Sequence, residues 1–261
     1  MKELYPNDLM QYLNVLQVFL RLLGLFLLMP GFSHNNIPPR VKILFALVLS
    51  LALYPILKDQ IGPLPLSLAG LGGVALRESA VGLLMGFAAY VTFEGVALAS
   101  QFIGTQMGFG AAGIVDPINQ SQTSILVALQ GWLILMVFFF TDMHHRVLQV
   151  FVMSYDVTGH FAHQDFATAA VLAEFIRITG KLFIMAVQMA APFTLLIMAS
   201  NVAVGILSRM LPQMNILLFS FPITILLGLC TIYFLAPDLL AYIENVLYEM
   251  LGDMTSMMRI V

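Results

Sequence analysis

The chain has 261 residues, 60% of them hydrophobic and 10% charged, with a formal net charge of −3 and a mean hydropathy of +0.94. Soluble domains carry about 25% charged residues, so the composition excludes a soluble globular domain and places the chain among polytopic membrane proteins. The Lys and Arg residues are scattered with no basic run, which argues against a nucleic-acid partner, and the single cysteine, Cys230, has no intrachain disulfide to form.

The first residues do not read as a cleaved signal peptide, because Lys2 is balanced by Glu3 and Asp8 and no small-residue cleavage site follows a short apolar core. Apolar runs follow at about 12–29, 41–57, 64–103, 125–140, 182–199 and 216–237. A straight helix needs about 20 residues to cross a bilayer, and several of these runs are short for that. Pro55, Pro192 and Pro222 lie inside three of them. Each removes a backbone donor and bends a helix, and in lipid the freed carbonyls need neighbouring helices. The pattern predicts an all-α, membrane-protein-like fold of kinked helices and helical hairpins that pack on other protein.

Arg21 interrupts the first run. It is either buried with a partner, facing a pathway, or reaching to a membrane interface. Residues 30–42 and 58–65 read as loops, from Gly31, Asn35, Asn36, the Pro38–Pro39 pair and Pro63. The longest run carries Arg77, Glu78 and Glu94. Glu78, Gly82 and Gly86 step by four and share a helix face, where small residues admit another backbone. Arg77 and Glu78 point about 100° apart on a helix and are poor partners for each other. Each therefore needs a charge on another helix or subunit, unless both sit in water at a hairpin tip. Glu94 stands far from any other charge and reads as buried, partnered or facing a pathway.

Residues 104–117 follow as a glycine-rich, mostly apolar segment with Gly104, Gly108, Gly110 and Gly113. Such a segment is poorly held by itself and suits a movable hydrophobic constriction. A plain connection, or a helix packed through its glycines, is the competing reading. It is not a phosphate loop, since the Lys-Ser/Thr that should follow is missing. Asp142, His144 and His145 invite a metal reading, but adjacent histidines on a helix should not face one site and no fourth ligand is evident. Residues 154–181 are the most water-like stretch. Beyond Pro237, Leu239, Leu240, Ile243, Leu247, Met250 and Leu251 recur at helical spacing, as in an amphipathic helix that lies on a partner. Lys and Arg fall in several loops and leave orientation unresolved. No nucleophile, acid and base grouping of the kind catalysis needs emerges, so an enzyme, a cofactor and a metal are not expected.

Several segments resemble the FliR family, the flagellar branch of a family shared with the injectisome export apparatus. They are IPPRVK (37–42), RESAVGLLMGF (77–87), QFIGTQMGFG (101–110) with the following DP (116–117), TDMHH (141–145), MAAPF (189–193) and GILSRMLPQMN (205–215). Their order and spacing across nearly the whole chain carry the likeness, most of all the RMLPQMN stretch with Arg209, Pro212, Gln213 and Asn215.

The resemblance implies a subunit of a type III protein export gate in the bacterial inner membrane, within a flagellar basal body. It implies one helical unit over residues 1–261: a FliP-like portion over about 1–181, fused to a FliQ-like hairpin and C-terminal helix over 182–261. The implied partners are FliP-like and FliQ-like subunits, an FlhB-like component and unfolded export substrates. The implied plug loop maps onto Met107, Gly108, Phe109, Gly110, Ala111, Ala112 and Gly113. Arg21, Arg77, Glu78 and Glu94 would be embedded intersubunit charges. Two departures stand out: Asn201 lies where members often carry an acid, and TDMHH has two histidines where one is usual. The rival reading is a self-contained, proton-coupled secondary transporter, with Glu94 as its proton site and Arg21 or Arg77 binding an anionic substrate.

Overall fold

The computed structural model describes residues 5–32, 37–62, 64–65, 67–109, 125–159, 168–210 and 216–260. Seven helices make up almost all of them: α1 Tyr5–Leu28, α2 Pro39–Leu57, α3 Leu68–Gln106, α4 Ile125–Phe140, α5 Met143–Gly159, α6 Thr168–Met210 and α7 Ile216–Ile260. No strand occurs among the described residues, so the all-α expectation holds. Five helices are long and apolar enough to cross a membrane, and α4 with α5 passes the same test as a pair.

Local chemistry explains several boundaries. Pro39 opens α2 after Pro38, at a position where a missing N–H costs nothing. The Ser67 hydroxyl accepts from the Gly70 N–H at 3.2 Å and caps the start of α3. Elsewhere the helices outrun the apolar runs. α6 begins at Thr168 and absorbs much of the water-like stretch, and α7 passes through both Pro222 and Pro237. At 39, 43 and 45 residues, α3, α6 and α7 are about twice the length one crossing requires.

The chain divides into two compact units that interleave along the sequence: residues 1–92, 142–178 and 248–261 form the first, and 93–141 with 179–247 the second. In the first unit, α1 and α3 cross at glycines. A Cβ on Gly24 would come within 2.8 Å of the Ser79 carbonyl oxygen, and one on Gly86 within 2.7 Å of that of Leu25. One on Gly82 would collide with the Arg21 carbonyl oxygen. Close approach through small residues is how helices associate where lipid removes the hydrophobic drive. Phe26, Phe32 and Phe45 cluster with ring centroids 4.8–5.3 Å apart, and Phe87 stacks on Phe175 at 4.2 Å.

The stretch beyond Pro237 was expected to lie on a partner, and its apolar face is instead used by the chain itself. Ile243, Val246 and Leu247 are buried in the second unit, and Met250, Met254, Met257 and Met258 in the first. Asp253 anchors it there: Arg177 donates to its carboxylate at 2.9 Å, and to Glu174 and Ser256 as well. The second unit has a core of Ile103, Met107, Leu126, Ala190, Phe193 and Ile197, with Phe109, Ile232 and Leu239 packed against it.

Candidate functional site

The first unit encloses a charge cluster contributed by three helices. Arg21 of α1 is 1% exposed. Its Nε donates to Glu78 Oε2 of α3 at 2.6 Å, and its Nη1 to the Ser154 hydroxyl of α5 at 2.7 Å. The guanidinium lies 3.8 Å from the centroid of the Tyr155 ring, and the Tyr155 hydroxyl reaches Glu78 Oε2 at 3.4 Å. Each polar group meets a complement, as a buried charge must if it is to stay ionised. The Gly82 crossing makes this possible, because it brings the α1 and α3 backbones close enough for a side chain on each to meet.

Arg21 and Glu78, both expected to be embedded intersubunit charges, pair with each other inside the chain. Sequence reasoning tested Glu78 only against its neighbour Arg77 and missed the distant Arg21. Arg77 is half-buried and has an interaction of its own. Glu94 is exposed on α3 and makes no hydrogen bond or ion pair among the described residues.

In the second unit, α3 ends against α7. Met107 is 0% exposed. Its carbonyl accepts from the Thr224 hydroxyl at 3.1 Å, and its side chain fills a notch where Gly228 has no Cβ. Gly108 follows with φ +90, a backbone angle that favours glycine, and a Cβ there would come within 2.6 Å of the Phe221 ring. Met107, the first residue of the expected plug loop, is sealed in the core of this unit. Phe109 packs half-buried against the same core. Gly110, Ala111, Ala112 and Gly113 lie outside the described residues, as do Pro212, Gln213 and Asn215. Arg209 is exposed in the last turn of α6. Further polar ties in this unit are Ser100 to Gln130, Gln106 to Thr194 at 3.0 Å and Tyr242 to Gln188 at 3.1 Å.

Asp142, His144 and His145 come closer than the sequence suggested. Asp142 has φ 55 just before α5, and the two histidine rings lie tilted by 41° with centroids 4.1 Å apart. Donor atoms of all three lie within 4.8 Å of one another. Asp142 and His145 are exposed, and three donors fall short of the four a structural zinc site uses.

The members of these polar clusters that the sequence reading placed in no site are Ser154, Tyr155, Arg177 and Asp253. Ser154 and Tyr155 share a turn of α5, but nothing in their own sequence context announces a distant arginine. Asp238 is exposed midway along α7.

Helices long enough to cross a bilayer, crossing at glycines around an embedded ion pair, define a polytopic membrane protein. Residues 12–250 match the model for the bacterial export proteins, family 1, and the chain belongs to that family. It is similar to the flagellar biosynthetic protein FliR of Caulobacter vibrioides, with 29% identity over 212 residues, 81% of this chain and 84% of that protein. Its likeness to FliR of Escherichia coli is 27% over 253 residues, 94% of this chain and 95% of that one. The surface presentation of antigens protein SpaR of Shigella flexneri is 27% identical over 216 residues, 83% and 82% of the two chains. These findings agree with the family likeness carried by the motifs and make this a bacterial membrane protein of protein export.

Proposed function

We propose that this chain is a subunit of a type III export gate, helping to form and close the channel through which unfolded flagellar proteins leave the cytoplasm. It assembles in the inner membrane, in the basal body, with FliP-like and FliQ-like subunits beside an FlhB-like component. Residues 1–181 take the FliP-like role and 182–261 the FliQ-like one. The chain performs no catalysis; its action is steric. Residues after Phe109, Gly110–Gly113 foremost, plug the idle channel and yield when a substrate threads through. Arg77 and Glu94 remain as the intersubunit charges.

The observation that carries this reading is the root of the glycine-rich segment. Thr224, Gly228 and Phe221 of α7 hold Met107 and Gly108 in place, and a blocking segment works only if its attachment is fixed. Relatives named as flagellar FliR cover nearly the whole chain, which favours the flagellar setting over the injectisome one. The test is deletion of residues 110–113, which leaves Met107 and Gly108 in their seats. The assembled complex should form at normal yield and leak ions through reconstituted bilayers. An intact complex with unchanged conductance rejects the plug.

A further inference from the structure

Among the described residues, one place in the first unit brings three metal-ligating side chains together. Asp142, His144 and His145 each place a donor atom within 4.8 Å of the other two. The steric role proposed above uses none of them. Met143, Val147 and Phe151 are buried and seat the first turns of α5 in the core, so the backbone that carries the donors is fixed.

Asp142 stands just before that helix, and its carbonyl accepts from the His145 and Arg146 N–H groups at 3.0 and 3.3 Å. An acid at this position usually turns its carboxylate onto the helix N–H groups. Here φ is 55, and Oδ1 lies 3.6 Å from His145 Nδ1. That is too far for a hydrogen bond. It is close to the roughly 3.3 Å that separates two ligands each about 2.0–2.1 Å from a tetrahedral ion. Consecutive residues point about 100° apart around a helix, yet the two imidazole centroids are 4.1 Å apart. Helical side chains lean toward the amino end. In the first turn of α5 they lean past the end of the helix, where Asp142 stands.

The donor set selects the ion. Two imidazoles and a carboxylate suit Zn²⁺, Ni²⁺ or Cu²⁺, whereas Ca²⁺ and Mg²⁺ take oxygen ligands. The amino end of α5 carries partial positive charge, which disfavours an ion held by charge alone more than one held by imidazole nitrogen. Arg146, next in sequence, is engaged on the Tyr248 ring, 5.0 Å from its centroid.

We propose that Asp142, His144 and His145 bind one divalent transition-metal ion of the zinc class, with water completing its coordination. Three protein donors are too few for a closed structural site and are the number that an open site provides.

The test uses the full-length chain, purified in detergent through a tag that contains no histidine and stripped with a chelator. It is titrated with ZnCl₂ in competition with a chromophoric zinc chelator, and one ion should bind per chain. His145→Ala and Asp142→Asn should each weaken binding at least tenfold, since even a residue behind the ligands is worth about 10–100-fold. Both side chains are exposed, and Asn accepts the left-handed backbone angle, so the metal-free variants should melt with wild type. His34→Ala, His160→Ala, His163→Ala and Cys230→Ser, which change the chain's other histidines and its cysteine, should leave the affinity unchanged. With Cu²⁺ as the probe, electron paramagnetic resonance should show coupling to two imidazole nitrogens, and to one in His145→Ala. Wild-type affinity no greater than that of the double variant His144→Ala/His145→Ala overturns the proposal. So does an affinity that follows the other histidines or the cysteine instead.

Discussion

Replacing Arg21 with methionine keeps most of the side chain's bulk and removes its charge. The structure states what is lost: the 2.6 Å bond to Glu78, the 2.7 Å bond to Ser154, and the guanidinium placed 3.8 Å from the Tyr155 ring centroid. These contacts belong to one group and do not add. The dominant cost is the Glu78 carboxylate left buried without its counter-charge, about 3–5 kcal/mol. Glu78→Leu strands Arg21 in the same way. The double variant Arg21→Met/Glu78→Leu removes both charges at once. It leaves the Ser154 hydroxyl satisfied by the Phe151 carbonyl and strands only the Tyr155 hydroxyl. It should lose about 1–3 kcal/mol, less than either single variant. The assay is size-exclusion chromatography of the detergent-solubilised chain after graded heating. Each single variant should aggregate roughly 10 °C below wild type, taking the slope for a chain of this size, with the double variant in between. A single variant that melts with wild type, or a double variant worse than both singles, refutes the buried pair.

Gly82→Ala should destabilise by about 1–3 kcal/mol in the same assay, as overpacking does. Its Cβ meets the Arg21 carbonyl oxygen, and backbone cannot swing aside as a side chain does. Gly72→Ala, where a Cβ meets nothing, is the control and should be neutral or slightly stabilising. Gly228→Val should expel the Met107 side chain from its notch, with a loss again of about 1–3 kcal/mol. A cysteine placed at 107 should then become reactive to a maleimide that leaves it untouched when Gly228 is intact. A thiol equally protected in both backgrounds would show that the notch does not hold the Met107 position.

Much of the fold was legible because the apolar runs are long. Runs near 41–57 and 64–103 anticipated α2 and α3 to within a few residues, and the run at 12–29 caught the end of α1, which begins seven residues earlier at Tyr5. The errors arose where composition and helix propensity part. Residues 168–181 look water-like through Glu174, Arg177 and Lys181, yet these are good helix formers, and α6 continues through them. Pro237 signalled a break, but a long helix carries a proline when its neighbours take up the freed carbonyl. The small-residue face of Glu78, Gly82 and Gly86 was visible as a four-residue step, and the structure uses it as a backbone crossing. The Arg21 to Glu78 pairing was not visible, since it joins residues 57 apart and depends on how two helices cross. The Met107 notch was hidden for the same reason: Gly228 sits in an ordinary apolar run until α3 is laid against it.

The two units differ in how they deal with charge, and that difference bears on what each is for. The first satisfies its embedded groups from within. Arg21 meets Glu78, Arg177 meets Glu174 and Asp253, and Arg146 lies 5.0 Å from the Tyr248 ring centroid. The second is tied internally by neutral groups, Ser100 with Gln130, Gln106 with Thr194 and Thr224 with the Met107 carbonyl. Bonds of this kind between membrane helices are worth about 0.6 kcal/mol each on average, enough to set register and little more. Its carboxylates at 94 and 238 find no partner among the described residues. A chain that had to stand alone in lipid would gain by replacing both with apolar residues, at no cost in internal polar contacts. On the proposed reading, Glu94 meets its complement in a neighbouring subunit. Charge changes in the first unit should therefore appear as lost stability of the chain itself, whereas neutralising Glu94 should leave that stability intact and appear only when the chain is asked to assemble.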